Sequence, residues 1–79
     1  MRMPLAMLSE KKEATVVEVK GGKGLVRRLS ELGLTPGAKV KILFSNSPGP
    51  AVIDVRGSKI ALGRGLLMRI FVKPEAETH

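Results

Sequence analysis

Residues 19–37 constrain the fold of this chain more than any other part of the sequence. They read VKGGKGLVRRLSELGLTPG, with turn signals on both sides of one short helical pattern. Gly21 and Gly22 end a strand pattern, where glycine permits the positive φ that a sharp strand-to-helix reversal often needs. Gly33 stands where a left-handed residue commonly ends a helix. The segment 35–38 then matches a type II turn, with Pro36 second and Gly37 third.

Residues 23–32 have the periodicity of a short amphipathic helix. Leu25, Leu29 and Leu32 recur at i, i+4 and i+7, which predicts one buried face. A helix near ten residues long is marginal in water on its own. We therefore expect tertiary packing to hold it against the rest of the chain.

The remainder of the chain has the pattern of short strands and tight turns. In residues 39–44 the alternation predicts that Val40, Ile42 and Phe44 face inward. Val17 and Val19 are predicted to share one side of the first strand, and Gly57 permits a tight connection. The predicted strands are residues 14–19, 39–44, 51–55, 59–62 and 68–73. Five short strands predict a mainly β fold, a small barrel with one helix between strands one and two.

The composition limits both the size and the chemistry of the protein. A chain of 79 residues predicts a single domain, with an ordered core over residues 3–73 and a polar tail over 74–79. Cysteine is absent and the one histidine is His79, so the sequence offers no disulfide and no thiolate or imidazole metal site. The net charge of +7 favours anionic partners. No apolar segment approaches the roughly 20 residues of a membrane-spanning helix, and a cytoplasmic protein is expected.

No catalytic arrangement emerges from the sequence. Asp54 is the single aspartate, and the mid-chain serines have no histidine base in the ordered region. A phosphate-binding P-loop would need glycine where Val17 stands and serine or threonine where Gly24 stands. We therefore predict no catalytic residues, no metal ligands and no cofactor, and we expect the protein not to be an enzyme.

Nucleic-acid binding remains open as an alternative function for a small basic barrel. Such surfaces usually combine basic residues with aromatic rings that stack on bases. The chain has no tryptophan, no tyrosine and two phenylalanines. Only Phe71, between Arg69 and Lys73, is predicted to be able to face outward, so nucleic acid is not the expected partner.

Several of these motifs together resemble the FeoA family of ferrous iron transport accessory proteins. The most specific is R-L-x-E-L-G-L-x-P-G over residues 28–37, accompanied by the Gly21-Gly22 turn. Met3-Pro4-Leu5, Gly49-Pro50 and the strands around 60–62 and 70–72 fit the same pattern. The resemblance covers roughly residues 3–73. It departs at Lys11-Lys12, where the family usually has a Pro-Gly or similar turn.

The resemblance implies a Src-homology-3-like barrel without catalytic activity. It also implies an adaptor that binds the cytoplasmic nucleotide-binding region of the FeoB membrane transporter, and so reaches the inner face of the membrane only through that partner. If the helix end of the barrel is the interface, the candidate partner-binding residues are Lys20, Lys23, Arg27, Arg28 and Phe71. Weak pairing of two copies through an apolar patch around Met3, Met7 or Phe71 is also left open.

Overall fold

The computed structural model describes residues 1–75 of the chain. Two helices lie within that range, α1 (Lys23–Glu31) and α2 (Arg64–Leu67), together with a 3-10 turn at Leu5–Met7. The strands of the same range are β1 (Met3–Pro4), β2 (Glu13–Val19), β3 (Lys39–Ser45), β4 (Ala51–Val55), β5 (Ser58–Leu62) and β6 (Ile70–Pro74).

The strands form one antiparallel sheet in the order β1-β6-β2-β3-β4-β5. The mainly β class is therefore confirmed, although the described residues contain six strands and the sequence predicted five. The additional strand is β1, whose Met3 and Pro4 pair with Val72 and Phe71 of β6. Such a short edge strand has too few residues to show a periodicity of its own.

The last strand is displaced from its predicted position. Met68 follows α2 directly as its C-terminal cap, so β6 begins at Ile70 and not at residue 68. At the other end Pro74 pairs with Ala14, so the strand includes a residue that was predicted to start the polar tail. Residues 76–79 of that tail, with His79, lie outside the described residues.

The core lies on the inner face of this sheet, and its buried side chains are aliphatic. They are Ala14, Val16, Val40, Ile42, Ala51, Ile53, Val55, Leu62, Ile70 and Val72. The same cluster also contains Leu5, Leu8, Leu29, Leu34, Ala38 and Leu67. Full burial of one such side chain contributes about 1.5–3 kcal/mol, so this cluster is the main source of stability.

Two β-bulges interrupt the alternation of side chains and correct two predictions. The register of β3 on β4 shifts between Ile42 and Phe44, which makes Leu43 the extra residue. Phe44, predicted to face inward, is 58% exposed. A second bulge between Val16 and Glu18 leaves Val17 exposed, while Val19 packs against the core. The predicted shared side for Val17 and Val19 is therefore wrong.

The reversal between β2 and α1 uses its two glycines differently. Gly22 is the N-cap of α1 with a φ of −68°, so the prediction of a positive φ is wrong at this residue. At Gly21 the chain passes so close to α1 that an added Cβ would lie 2.7 Å from Leu25 Cδ2. Gly21 has a φ of 157°, and the contact with the flexible end of the Leu25 side chain adds to the preference for glycine.

The C-terminal end of α1 is closed by two backbone hydrogen bonds. The Gly33 N–H donates to the Ser30 carbonyl at 2.9 Å, and the Leu34 N–H donates to the Leu29 carbonyl at 2.9 Å. This is the Schellman pattern, which requires a left-handed residue, and Gly33 has a φ of 96°. The ending turns Leu34 into the core, where it is buried.

We predict that Gly33→Ala lowers the free energy of unfolding by about 1–2 kcal/mol, the cost of a left-handed conformation for a residue with a Cβ. The added Cβ would also meet Val55 Cγ1 at 3.2 Å. Urea denaturation followed by circular dichroism measures the change. The matched control is Gly24→Ala, which adds a methyl group in open space on α1. An equal loss in both variants would contradict this role of Gly33.

Candidate functional site

The basic residues predicted to contact a partner are all exposed, with Lys20 after β2 and the other three on α1. Lys23 and Arg27 lie four residues apart, on one face of α1. Lys20 follows β2, and its N–H donates to the Arg69 carbonyl at 2.8 Å. Arg28 belongs to a different part of the surface, because its side chain lines a groove beside α1.

Phe71 lies half-buried beneath two cationic side chains. The guanidinium carbon of Arg2 is 5.2 Å from the ring centroid, and the Lys20 ammonium nitrogen is 4.9 Å from it. Both distances are within the range of cation–π attraction. Arg2 also donates a hydrogen bond to the Glu18 carboxylate and forms an ion pair with it. The sequence interpretation missed Arg2, because only the pairing of β1 with β6 brings it to this ring.

The contacts of Arg2 change the acidity of Glu18. The hydrogen bond from Arg2 is the largest influence and holds the pKa of the Glu18 carboxyl below its usual range. Partial burial opposes this shift, whereas the charges of Arg2 and Lys20 reinforce it. Ionised Glu18 therefore stabilises the folded chain above the ordinary glutamate pKa of about 4.3. That contribution is lost as the pH falls through the lower folded-state value.

We predict that Glu18→Gln lowers the thermal midpoint of unfolding at pH 6 and has progressively less effect as the pH falls below about 4. The reason is that wild-type Glu18 becomes protonated there and loses its attraction to Arg2. Thermal melts at a series of pH values measure the difference. Arg2→Ala should remove the same pH-dependent step. A difference that is constant from pH 6 to pH 2 would contradict the assignment.

An apolar groove lies between α1 and the edge of the sheet at β5, and we call it the α1–β5 groove. Its volume is about 230 Å³. Among the described residues that line it, Arg28 alone carries a charge. Its lining residues are Leu25, Arg28, Leu29, Leu32, Ile60, Ala61, Leu62 and Leu66. Leu32 is 45% exposed at this rim, so its predicted place in the buried stripe of the helix is wrong.

The groove is bordered by an unpaired strand edge. Within residues 1–75, β5 pairs with β4 and with no other strand. The two strands are joined by Arg56 and Gly57, whose φ values are 54° and 87°. Positive φ at both positions is typical of a type I′ hairpin, in which the flanking Val55 and Ser58 form a hydrogen-bonded pair.

Charged side chains of alternating sign cross the outer face of the sheet. Glu13 lies opposite Lys41, Lys41 opposite Asp54, and Asp54 opposite Lys59 at the free edge. Opposite charges on neighbouring strands stabilise a sheet, whereas like charges oppose each other. Asp54 Oδ1 also accepts the Gly57 N–H at 2.9 Å, which supports the hairpin. We call the four residues the charge ladder.

Neither the groove nor the charge ladder contains a group of metal-ligating side chains among the described residues. In residues 1–75, no three His, Cys, Asp or Glu side chains are grouped closely enough to hold a metal ion. No helix in the described part of the chain is both long and apolar enough to cross a membrane. The surface features of this region are thus a cation-covered ring, an apolar groove and a free strand edge.

Comparison with known proteins agrees with this architecture. The family model of the FeoA domain matches residues 3–74. The chain belongs to the FeoA family. A protein of Methanocaldococcus jannaschii named as an Fe(2+) transport protein A is 41% identical over 70 residues, which cover 89% of this chain and 84% of the relative.

Solved structures place this FeoA protein in a Src-homology-3-like fold class. A crystal structure of an iron uptake regulatory protein, also called FeoA, has a TM-score of 0.89 and 36% identity, covering 95% of this chain and all of the other. The zinc complex of FeoA from Stenotrophomonas maltophilia, described as a prokaryotic SH3 domain protein, has a TM-score of 0.78 and 26% identity. That match covers 90% of this chain and 89% of the other.

Proposed function

We propose that this FeoA protein is a non-enzymatic accessory protein of ferrous iron uptake. The observation that carries the proposal is the match of residues 3–74 to the FeoA domain, together with a 41% identical relative named for Fe(2+) transport. The test is deletion of the gene followed by an anaerobic ferrous iron uptake assay. Uptake should fall and should return when the intact gene is restored. Unchanged uptake in the deletion strain would overturn the proposal.

We further propose that the protein acts by docking on the cytoplasmic nucleotide-binding region of a FeoB-type membrane transporter, and so works in the cytoplasm. The family resemblance suggests this partner, and three surface features support a docking role. The chain carries a net charge of +7, its α1 cations are exposed, and its described residues show no grouped metal ligands. A binding module of this kind acts through its surface.

The docking proposal predicts measurable, salt-sensitive binding to the purified cytoplasmic domain of the transporter. Exposed charges mainly accelerate association. Salt at physiological ionic strength largely screens the attraction between charges that lie more than about 8–10 Å apart. Biolayer interferometry at two salt concentrations should show a slower association rate at the higher one. The double variant Lys23→Glu, Arg27→Glu should associate more slowly than wild type at low salt. Absence of binding at low salt, with both proteins folded, would refute the docking.

Nucleic-acid binding remains the second candidate, because the bulge in β3 exposes Phe44 on the outer face of the sheet. Phe71 is a poor stacking platform, since Arg2 and Lys20 already lie over its ring. We predict only non-specific affinity for single-stranded RNA or DNA, with Kd no tighter than about 10⁻⁶ M at physiological salt. Fluorescence anisotropy with labelled oligonucleotides measures this. Tight binding that Phe44→Ser abolishes would favour the nucleic-acid function instead.

A further inference from the structure

Building on the docking proposed above, we propose that the free edge of β5 and the adjacent α1–β5 groove bind an extended acidic segment of the transporter as an added strand. The combined surface consists of a row of backbone groups, a hollow for apolar side chains and a positive charge at the strand edge. Each of these three parts selects one property of the bound segment.

The backbone of β5 selects an extended segment. Hydrogen-bonded pairs alternate along an antiparallel ladder, and Val55 with Ser58 is such a pair at the hairpin end. The pairs Ile53 with Ile60 and Ala51 with Leu62 follow the same phase. Lys59 and Ala61 therefore direct their N–H and C=O groups away from β4, toward the free edge. A second strand can form hydrogen bonds with the outward N–H and C=O groups of both residues, as in other cases of strand addition to a sheet edge.

The α1–β5 groove selects apolar side chains on one face of that segment. Ile60 and Leu62 point to the inner side of the sheet. The other apolar lining residues are Leu25, Leu29, Leu32, Ala61 and Leu66. The groove of about 230 Å³ has room for a large aliphatic or aromatic side chain. Because strand side chains alternate, every second residue of the added segment enters or approaches this groove.

The charge ladder selects acidic residues on the opposite face of the segment. The ladder runs Glu13, Lys41, Asp54 and Lys59, and it ends on a cation at the free edge. An acidic side chain on the added strand would lie beside Lys59 and continue the alternation. Among the described residues that line the groove, the one charged residue is also a cation, Arg28, which favours an acidic segment over a basic one.

The same charges disfavour a second copy of this chain at the edge. Antiparallel pairing of two β5 strands would bring two copies of Lys59 close together, in proteins that each carry +7. Like charges in such an arrangement oppose association. Lys59 thus opposes pairing of two β5 strands but still attracts an acidic strand. A lysine on an edge strand is a common protection against edge-to-edge pairing.

The decisive variant is Ala61→Pro, tested on the full chain against the purified cytoplasmic domain of the transporter. Proline removes the outward N–H of Ala61 while leaving the β4–β5 bonds intact, a position where edge strands tolerate it. We expect the Kd to rise about tenfold, the effect of losing one buried hydrogen bond. Ala61→Val is the matched control, because it keeps the N–H and the strand conformation, and it should bind within about twofold of wild type. Thermal melts verify that both variants fold.

A second pair of variants keeps the test decisive if Ala61→Pro does not fold. Lys59→Glu should weaken binding at least tenfold, because it places like charge beside the acidic segment. Lys73→Glu makes the same change of charge at an exposed residue of β6, away from the free edge, and should have a smaller effect. In the ¹⁵N spectrum, the amides of Lys59 and Ala61 should shift when the domain is added.

Whenever wild type binds, the outcome for the β5 variants separates the added strand from docking in general. If wild type binds and the β5 variants bind equally well, the added strand is refuted while docking on the transporter stands. Binding by wild type with loss in both Ala61→Pro and Lys59→Glu supports the added strand. No binding by wild type overturns both proposals. A dimer in analytical ultracentrifugation that Ala61→Pro dissolves would assign the edge to a second copy and overturn the proposed occupant.

Discussion

Covering the inner face of one six-stranded sheet is the constraint on which the rest of this structure depends. The described residues supply one helix of nine residues, one of four and a three-residue 3-10 turn for that purpose. Leu29 and Leu34 therefore reach the core from the two sides of the Gly33 turn, and the Schellman ending makes this geometry possible. Where these helices end, Leu32 is exposed and Ile60 is only partly buried, and both line the α1–β5 groove.

The outer face of the sheet follows different rules, because its side chains meet water. There the pairing of strands orders charges into the ladder from Glu13 to Lys59, and a bulge brings Phe44 out beside Val52. The described residues thus present recognition surfaces, with no grouped metal ligands. The docking and added-strand proposals both rest on these surfaces, and the free edge of β5 borders the α1–β5 groove.

Prediction from the sequence was most successful where the local structure depends on residues that are close together in the chain. Residues 19–37 do form a strand end, a helix and two turns, and the type II pattern has its expected Ala38 N–H to Thr35 carbonyl bond at 2.9 Å. It was less successful with the candidate site. Arg28 was identified as exposed, but its groove was not, and Arg2 was missed altogether. Both depend on contacts between residues far apart in the chain, which periodicity does not report.

The sequence by itself determined the local elements, because glycine conformation, proline geometry and the spacing of apolar residues act within a few residues. It also determined the excess of positive charge and the lack of thiol ligands. Only the tertiary structure decided which side of each strand is buried, since a bulge arises from the match between two paired strands. For the same reason it alone decided that β5 is an edge, that Phe44 faces water, and that Leu32 borders a groove. Strand order is a property of the assembled sheet, and no single segment carries it.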